Sequence, residues 1–462
     1  MNYNVNNNKC QIACNCDNNN VSYLVIPSTL ERFVNTKTKI ERQGNRDIYC
    51  FYGLIELSES ELICSCCGNK MHKNKSYDVI VKHIPIGGIY SVLRIKRYQL
   101  KCCSCNATKM QEIPFLYDNH FITNHVKNFI NDLLSANDIT IKKISSLTGV
   151  NRNLIKEIDK ERLIKQYTVN GEGKELIKPD DYSRYLAIDE FKLHDGYKYA
   201  THIIDYDTGH ILWIAKGKKK QVVYDFIKHV GLEWMSHVKA VGCDMNSDFE
   251  EAFKEMCPHI KIVYDHFHIV KNFNEKVINK VRIEEQQRLI SEGKAEEARR
   301  LKRTKFILTS NQSTLERKDK EAEEGKTIGK ESNLFNLKEQ KTKGGKTDRL
   351  NELVDSNTLF LAIELIKDIL AEAYHCDDEE EMSKLIFDIM ELCEETGNKH
   401  FLWFRNLLYN HFDGIVSHAT IKISSGKIEG INNKIKTLRR QSYGFPDDEY
   451  FFLKLIDMSR QK

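Results

Sequence analysis

Residues 185–191 read Tyr-Leu-Ala-Ile-Asp-Glu-Phe, and two runs of the same kind follow closely at 199–206 and 210–215. Apolar, β-branched and aromatic side chains dominate all three runs, which is typical of buried β-strands. Helical periodicity then alternates with two further strand-like runs, at 238–243 and 261–264. Three consecutive strands followed by alternating helices and strands predict a mixed sheet covered by helices.

This order of elements is that of a ribonuclease-H-like α/β fold, and a long helical stretch interrupts it after His268. The chain is helical to about residue 303 and again from 350 to 412, while the highly charged stretch 316–346 predicts an exposed connector. Residues that could contribute to the α/β domain and its site occur again only from about Ser424. We therefore expect a helical insertion within the α/β domain.

Two carboxylates stand at the ends of predicted strands. Asp189 closes the first strand, and Asp244 directly follows the fourth. If these strands are neighbours, the two side chains emerge at one edge, where they repel one another unless a hard cation such as Mg²⁺ lies between them. The alternative is that each aspartate is an ordinary turn former.

Glu429 is a third candidate carboxylate, and it lies in a helical segment with two stripes. The apolar stripe, which would pack on the sheet, is formed by Ile428, Ile431, Ile435 and Leu438. The neighbouring polar stripe is formed by Glu429, Asn432, Lys436 and Arg440. We expect this helix to aim Glu429 at the sheet edge; the alternative is an exposed glutamate among basic residues.

Four cysteines form two knuckles with a spacing typical of zinc ligands, at Cys64 and Cys67 and at Cys102 and Cys105. Strand-like runs and a Gly-Gly turn between the knuckles predict a hairpin that brings them together, as in a zinc ribbon. The register is open by one residue because Cys66 and Cys103 are adjacent, and cysteines filling a small core are the alternative. Another three N-terminal cysteines, Cys10, Cys14 and Cys16, offer a second site that we leave unassigned.

Residues 141–158 carry the pattern of a helix-turn-helix, with a small Ser145 and a turn at Gly149. Its apolar stripe consists of Ile144, Leu147, Ile155 and Ile158. The second helix would begin near Asn151 and read bases in a DNA groove, while the first would contact phosphate. The residues predicted to bind DNA are Lys142, Lys143, Arg152, Asn153 and Lys156. An ordinary helical hairpin is the alternative.

Charge is distributed unevenly along the 462 residues, although the net charge is only +4. Residues 139–165 hold seven Lys/Arg against three Asp/Glu, and residues 422–440 hold six against one. Such stretches are typical of a protein that grips phosphate at separate places, although solvated helix faces would look similar. Only 6 prolines occur, which excludes collagen-like and proline-rich disordered classes. The N-terminus has no signal pattern and the chain has no long apolar run, so we expect a cytoplasmic protein.

The motifs together resemble a known family. They are Ile188-Asp-Glu190, Gly242-Cys-Asp-Met245, Tyr264-Asp-His-Phe-His268 and Glu429-Gly-Ile-Asn-Asn433, followed by Lys436, Arg440 and Tyr443-Gly-Phe445. In this order they resemble the DDE transposases of bacterial insertion sequences, in particular the ISL3 family, over roughly nine tenths of the chain. The first knuckle lacks the family's usual proline, and Ser425 stands where an Asn is common.

The resemblance implies that Asp189, Asp244 and Glu429 bind two Mg²⁺ or Mn²⁺ ions, and that one structural Zn²⁺ and a helix-turn-helix lie before the catalytic domain. In the resembling motif, Asp265, His266 and His268 follow the fifth strand, where they support the metal site, contact DNA or cap a helix. We expect Trp403 to be a core aromatic; the alternative is a residue that stacks on an unpaired base. The lysines at 218–220 either hold DNA backbone or solvate a turn.

The expected domain organisation follows from these motifs. It comprises an unassigned segment (1–48), a zinc-ribbon-like module (49–117), a helix-turn-helix domain (118–168), a first catalytic part (180–268), the helical insertion (269–420) and a C-terminal catalytic part with Glu429 (421–462).

We expect a transposase that binds the terminal inverted repeats of its element and target DNA. It would act as a homo-oligomer on DNA and would have no membrane partner. When bound to DNA, it would associate with the bacterial nucleoid. The alternatives are a catalytically silent zinc-containing DNA-binding regulator and a hydrolytic nuclease without strand transfer.

Overall fold

A computed structural model describes residues 30–136, 139–194, 198–245, 247–325, 327–328, 340–341, 343–424, 426–441 and 446–460. The chain divides into two compact units, Met1–Ile177 and Lys178–Lys462. Cys10, Cys14, Cys16, Ser425 and the motif at 443–445 lie outside the described residues.

A five-stranded sheet forms the N-terminal unit's framework. Its strands are β1 (Phe33–Gln43), β2 (Arg46–Ile55), β3 (Met71–Ile86), β4 (Ile89–Cys102) and β5 (Thr108–Met110). The order is β1-β2-β4-β3, and β5 pairs with the end of β4. The predicted hairpin is present as β3 and β4, which turn at Gly87 and Gly88; both glycines have positive φ, which side-chain-bearing residues rarely adopt. A 3₁₀ helix, Glu59–Leu62, precedes the first cysteine knuckle.

Three helices follow the sheet: α1 (Asn124–Ser135), α2 (Ile141–Thr148) and α3 (Arg152–Tyr167). The predicted turn is present, because Gly149 ends α2 with φ 70° and the Asn151 side chain caps α3. Ile144 is buried, but Leu147, which we predicted for the same stripe, is 39% exposed. That prediction was wrong because the buried stripe of α2 runs four residues on to Thr148, whose hydroxyl donates to the Ile144 carbonyl.

The second unit contains the mixed sheet. Its strands are β6 (Tyr185–His194), β7 (Lys198–Asp205), β8 (Ile211–Lys216), β9 (Ala240–Cys243) and β10 (Lys261–Tyr264), in the order β10-β9-β6-β7-β8. β7 is antiparallel to both β6 and β8, whereas β9 runs parallel to β6 and β10 runs parallel to β9. Helices α4 (Lys220–Val230), α5 (Leu232–Met235) and α6 (Ser247–Met256) connect the later strands. The predicted mixed sheet with helices is confirmed.

The predicted helical insertion follows β10. It consists of α7 (His266–Asn272), a π-helix (Phe273–Ile278), α8 (Asn279–Ser291), α9 (Ala295–Leu301), α10 (Lys305–Thr309), α11 (Gln312–Glu323), the short pair β11 (Thr327–Ile328) and β12 (Gln340–Lys341), α12 (Lys346–Ser356), α13 (Thr358–Ala373), α14 (Glu379–Glu395), α15 (Lys399–Asn410) and α16 (Phe412–Val416). The chain then returns to the sheet with α17 (Gly426–Gln441) and α18 (Asp448–Ser459).

The prediction of an exposed connector at 316–346 was wrong for its first residues, because α11 continues to Glu323. One charged residue of this helix has a structural role: the Asp319 carboxylate accepts hydrogen bonds from the backbone N–H groups of Lys346 and Thr347. A carboxylate at that position caps the first turn of α12. The charge pattern is therefore partly a capping pattern.

One hydrophobic core joins the sheet of the second unit to the insertion, and it includes Ile188, Val241, Tyr264, Phe360 and Phe404. Close approach of the insertion depends on Gly414 of α16, because a Cβ there would lie 2.4 Å from the Tyr264 ring. The insertion is thus packed on the sheet as part of the same folded unit. Within the described residues, no helix has both the length and the apolar character needed to cross a membrane.

Candidate functional site

Asp189 lies on β6, and Asp244 directly follows β9, the strand that runs parallel beside it. β6 pairs with β9 through Tyr185 with Ala240 and Ala187 with Gly242. Continued by two residues, this register sets Asp189 opposite Asp244, which directly follows the carboxyl end of β9. The prediction that Asp189 closes its strand was wrong, because pairing with β7 continues β6 to His194. Ligands bind at this edge in open α/β sheets. The two strands are therefore neighbours, as the sequence prediction required.

Asp189 is held in a fixed orientation by two hydrogen bonds. Its Oδ1 accepts from the Glu190 backbone N–H at 2.7 Å, and its Oδ2 accepts from Asn432 Nδ2 at 2.6 Å. Burial raises the pKa of Asp189, the two hydrogen bonds oppose that rise, and the nearby Asp244 charge adds to it. The carboxylate is thus in an environment that favours a compensating positive charge.

Asp244 pairs with a histidine that follows the last strand of the sheet. His268 Nδ1 lies 3.0 Å from Asp244 Oδ1, and the Met245 backbone N–H donates to the same oxygen at 2.7 Å. Burial alone would raise the pKa of Asp244, but the hydrogen bond and charge of His268 lower it. The Asp244 partner raises the pKa of His268 in turn. Asp265 caps the helix that presents His268 by accepting from the Phe267 N–H at 3.0 Å.

Glu429 lies in the first turn of α17 and is exposed. Asn432, three residues later and on the same helix face, makes the hydrogen bond to Asp189, so the turn that carries Glu429 is brought to the middle of β6. Three members of the predicted apolar stripe of α17, Ile428, Ile431 and Ile435, are buried, whereas the fourth, Leu438, is half-buried. Among the described residues, the ligand atoms of four cysteines all lie within 4.8 Å of one another, whereas those of Asp189, Asp244 and Glu429 are not drawn together that closely.

The donor atoms at this edge suit a hard divalent cation. All three candidate ligands are carboxylates, the group through which Mg²⁺ and Mn²⁺ bind in proteins. Burial raises the pKa of the half-buried Asp189, so a cation bound beside it would favour its charged form. The residues present therefore fit such an ion.

Basic residues near this edge fall into two groups. Lys436 and Arg440 are exposed on α17, on the same polar stripe as Glu429. The lysines at 218–220 are instead paired with carboxylates: Lys218 with Glu190, Lys219 with Asp248, and Lys220 with Glu251 and Glu255. These ion pairs favour a structural role for the second group.

Four cysteines of the N-terminal unit form a compact cluster. Cys64, Cys67, Cys102 and Cys105 place their sulfur atoms within 4.8 Å of one another, and three of the Sγ–Sγ distances are 3.5 Å. Tetrahedral thiolates with Zn–S bonds of about 2.3 Å have sulfur atoms roughly 3.8 Å apart. The cluster could therefore bind zinc, and the ambiguity of register is resolved because Cys66 and Cys103 lie outside it.

Backbone N–H groups of the first knuckle stabilise thiolates. They lower the pKa of Cys64, and hydrogen bonds from Asn69 lower the pKa of Cys67 to about 6. A thiolate is the form that binds metal. Cys103 instead contacts the ring of His72, with Sγ 3.4 Å from Nδ1.

The helix-turn-helix presents its predicted DNA-binding side chains to solvent at the start of α3. Arg152 and Asn153 are exposed, as are Lys142 and Lys143 on α2, while Lys156 is half-buried. The Ser145 hydroxyl donates to the Val150 carbonyl at 2.7 Å, which holds the turn closed. The N-terminus of α3 is therefore accessible to solvent.

Two contacts of the site are not specified by the sequence. The Asn432–Asp189 hydrogen bond was not predicted, although Asn432 was placed on the correct stripe; its spacing of three from Glu429 was the available signal. For the His268–Asp244 pair the motif allows several roles, and only the tertiary contact decides between them. Trp403 is 39% exposed rather than buried in the core, while its neighbours Phe401 and Phe404 are fully buried.

Comparison with known proteins identifies one family, one relative similar over most of the chain and one similar over a short segment. A family model described as a transposase, of the DDE type named ISL3, matches residues 186–455. The transposase of insertion sequence element IS1001 from Bordetella parapertussis is 25% identical over 397 residues, which cover 85% of this chain and 88% of the relative. The transposase of insertion sequence element IS1557 from Mycobacterium tuberculosis is 29% identical over 87 residues, or 19% of this chain and 20% of the relative.

Proposed function

The chain belongs to the ISL3 family of DDE transposases, and from that premise we propose that it binds the ends of its own insertion sequence and catalyses their cleavage and transfer. The α/β sheet would be ribonuclease-H-like. Its strand order, β10-β9-β6-β7-β8 with β7 antiparallel to β6, supports this assignment. The unit that contains this sheet would be the catalytic domain, with residues 269–420 as its helical insertion.

We propose Asp189, Asp244 and Glu429 as the catalytic carboxylates. Held by them, two Mg²⁺ or Mn²⁺ ions would supply Lewis-acid activation of water and neutralise charge on the reacting phosphate. Asn432 would orient Asp189, and His268 would orient Asp244, because each donates to the carboxylate it contacts. Orientation of ligands by such hydrogen bonds commonly tunes a metal site.

The chemistry would proceed in two displacements without a covalent enzyme intermediate. In the first, a water oxygen attacks the phosphorus at the element end, the P–O3′ bond breaks, and the departing oxygen leaves as a 3′ hydroxyl. In the second, that hydroxyl oxygen attacks a phosphorus of target DNA, and the target's own 3′ oxygen departs. Each step exchanges one P–O bond for another, so no oxidant or nucleotide is required.

Recognition would belong to the N-terminal unit. Arg152, Asn153 and Lys156 would contact base edges, and Lys142 and Lys143 would contact phosphates. Zinc bound by the four clustered cysteines would hold the end of β4, which carries Cys102, to the segment before β3 that carries Cys64 and Cys67. Lys436 and Arg440 would hold the DNA backbone next to the carboxylates, and homo-oligomers would pair the two element ends.

The observation that carries the proposal is the placement of Asp189 on β6 beside Asp244, which directly follows the adjacent strand β9, with Asn432 of the Glu429 helix bonded to Asp189. The test is Glu429→Gln, which keeps side-chain size and removes one negative charge. In Mg²⁺, the variant should bind element ends normally, while cleavage and strand transfer fall by orders of magnitude, because the lost interaction acts in the transition state.

The matched control is Glu391→Gln, which removes the same charge from an exposed position on α14. Both activities should survive that change. Strand transfer by Glu429→Gln at the unmodified rate would show that the catalytic assignment is wrong. Cleavage without strand transfer by the unmodified protein would instead favour a nuclease, and DNA binding without either activity would favour a regulator.

A further inference from the structure

One face of the N-terminal sheet lies opposite the main hydrophobic core of that sheet and carries basic and aromatic side chains. We call it the outer face and define it by Lys39, Arg46, Lys73, Arg94 and Lys96, with Tyr52, Tyr90 and Tyr98. The opposite face packs the core residues Phe51, Val81, Leu93 and Ile95. Because side chains alternate along a strand, Arg94 and Lys96 on β4 must point away from Leu93 and Ile95.

Contacts between strands confirm that these side chains share a face. The Arg94 guanidinium lies 2.8 Å from the Glu41 carboxylate of β1 and 5.8 Å from the Tyr52 ring of β2. Lys73 of β3 places its ammonium 4.2 Å from the centre of the Tyr98 ring of β4. The outer face therefore extends across four strands.

The outer face begins at the helix-turn-helix. Tyr90 donates from its hydroxyl to the Ser146 carbonyl at 2.6 Å, and the Lys82 ammonium donates to the Gly149 carbonyl. Arg46 donates to the same Tyr90 hydroxyl at 2.6 Å and is exposed beside the turn. The turn that precedes the reading helix is thus fixed to the first residues of β4.

At its far end, the outer face reaches the cysteine cluster through Cys102, the last residue of β4. A strand rises about 3.4 Å per residue, which is also the rise per base pair of B-DNA. Along β4, Lys96 lies six residues beyond Tyr90. Tyr98, whose ring contacts the Lys73 ammonium, lies eight residues beyond Tyr90. These lysines are therefore about 20 and 27 Å from the helix-turn-helix contact, or about six and eight base pairs.

Two carboxylates reduce the positive charge of this face without cancelling it. Glu41 is engaged by Arg94 and by the Tyr52 hydroxyl, so it does not offset the remaining cations. Asp78 of β3 lies across from Lys96 in the strand register. It therefore offsets one of the lysines at most.

Charge decides which partner fits this face. Lys39, Lys73 and Lys96 are exposed and have no ion pair within 4.0 Å among the described residues. They are interleaved with tyrosines and lie in line with a predicted DNA-reading element. Such an arrangement suits a phosphate backbone.

We propose that the outer face is a second DNA-binding surface, which holds the phosphate backbone of the duplex about six to eight base pairs from the point contacted by the helix-turn-helix. The proposal rests on the proposed function, because it requires that the helix-turn-helix reads DNA. It adds that the sheet, and not the helices alone, sets the length of the recognised site.

The test uses the full-length protein and a duplex of about 30 base pairs recovered from a random pool by the unmodified protein. The double variant Lys73→Ala/Lys96→Ala should bind with a salt dependence less steep by about 1.8 in log K against log salt, since each phosphate contact contributes about 0.9. Between about 50 and 200 mM salt, the unmodified protein should lose about twelvefold more affinity than the variant. Hydroxyl-radical footprints should lose protection about six to eight base pairs from the helix-turn-helix footprint, which itself should remain.

The matched control is Lys75→Ala/Lys101→Ala, on the same two strands but on the opposite face, as their pairing with Gln99 and His72 shows. It should leave the salt slope and the footprint unchanged. If the two double variants behave alike while Arg152→Ala still alters sequence preference, the outer face does not bind DNA and the helix-turn-helix assignment stands. If the unmodified protein selects no duplex, DNA recognition by this unit fails and this inference fails with it.

Discussion

Gly242 is the position where one added methyl group should disturb the catalytic edge most. An alanine Cβ at Gly242 would lie 2.4 Å from Cγ2 of Ile423, against about 3.4 Å or more for an ordinary contact. Ile423 is 4% exposed and packs with Ala240 and Val263, so it has little room to move. It also precedes Glu429 by six residues, and therefore Gly242→Ala should displace the segment that leads into α17.

The magnitude follows from the missing space of about 1 Å. Overpacking of this kind costs about 1–3 kcal/mol of unfolding free energy. A displacement of about 1 Å at a catalytic group costs about 10²-fold in rate, so strand transfer should fall by roughly that factor. Ile423→Ala alone should cost about 2–5 kcal/mol through the cavity it leaves. Because it also removes the clashing Cγ2, the double variant should be little less stable than Ile423→Ala.

The assay is a double-mutant cycle on denaturant unfolding. All three tryptophans, Trp213, Trp234 and Trp403, belong to the second unit, so their fluorescence reports that unit alone. The expected coupling is about 1–3 kcal/mol in favour of the double variant. Gly430→Ala is the control, because no atom of the described residues outside its own helix turn lies within 4 Å of the added Cβ there. Costs that simply add would refute the reasoning that Ile423 transmits the strain.

Three further predictions concern the metal cluster, recognition and pH. Cys105→Ala should lose zinc and Cys103→Ala should keep about one zinc per chain, as measured by elemental analysis of the purified protein; equal zinc content would contradict the cluster. Arg152→Ala should relax sequence preference at one base pair, at a cost of about 1–3 kcal/mol in binding free energy. Lys142→Ala should instead weaken binding to all duplexes alike, as measured by competition binding. If Arg152→Ala lost the same affinity for specific and for random DNA, the bases would be read by another surface. Burial lowers the pKa of His202 to about 4, so the unfolded chain takes up its proton first as pH falls below about 6.5. Because of His202, the free energy of unfolding of the second unit should fall by about 2 kcal/mol between pH 7 and pH 5. His202→Met should remove that loss, as measured by tryptophan-detected unfolding. An unchanged pH dependence in the variant would count against a neutral buried imidazole.

Much of the local structure was determined by the sequence itself. The apolar and β-branched run at 185–191 predicted a strand, and the strand β6 contains those residues. Gly149 and Asn151 predicted the turn and the start of α3 because a left-handed turn and a side-chain cap are local requirements. The spacing of the cysteine knuckles likewise predicted a shared cluster, which the structure contains.

Only the tertiary structure decided which distant residues meet. Nothing near Asp189 in the chain specifies that Asn432, 243 residues away, donates to it, and nothing near Asp244 selects His268 over His266. The choice of Cys102 over Cys103 also depended on the tertiary structure: Cys102 ends β4 and pairs with Met71, whereas Cys103 lies beyond the strand and contacts the ring of His72. Local patterns are set by backbone periods of a few residues, which the sequence displays directly. Contacts across the fold depend on how whole elements pack, and that depends on all of their side chains at once.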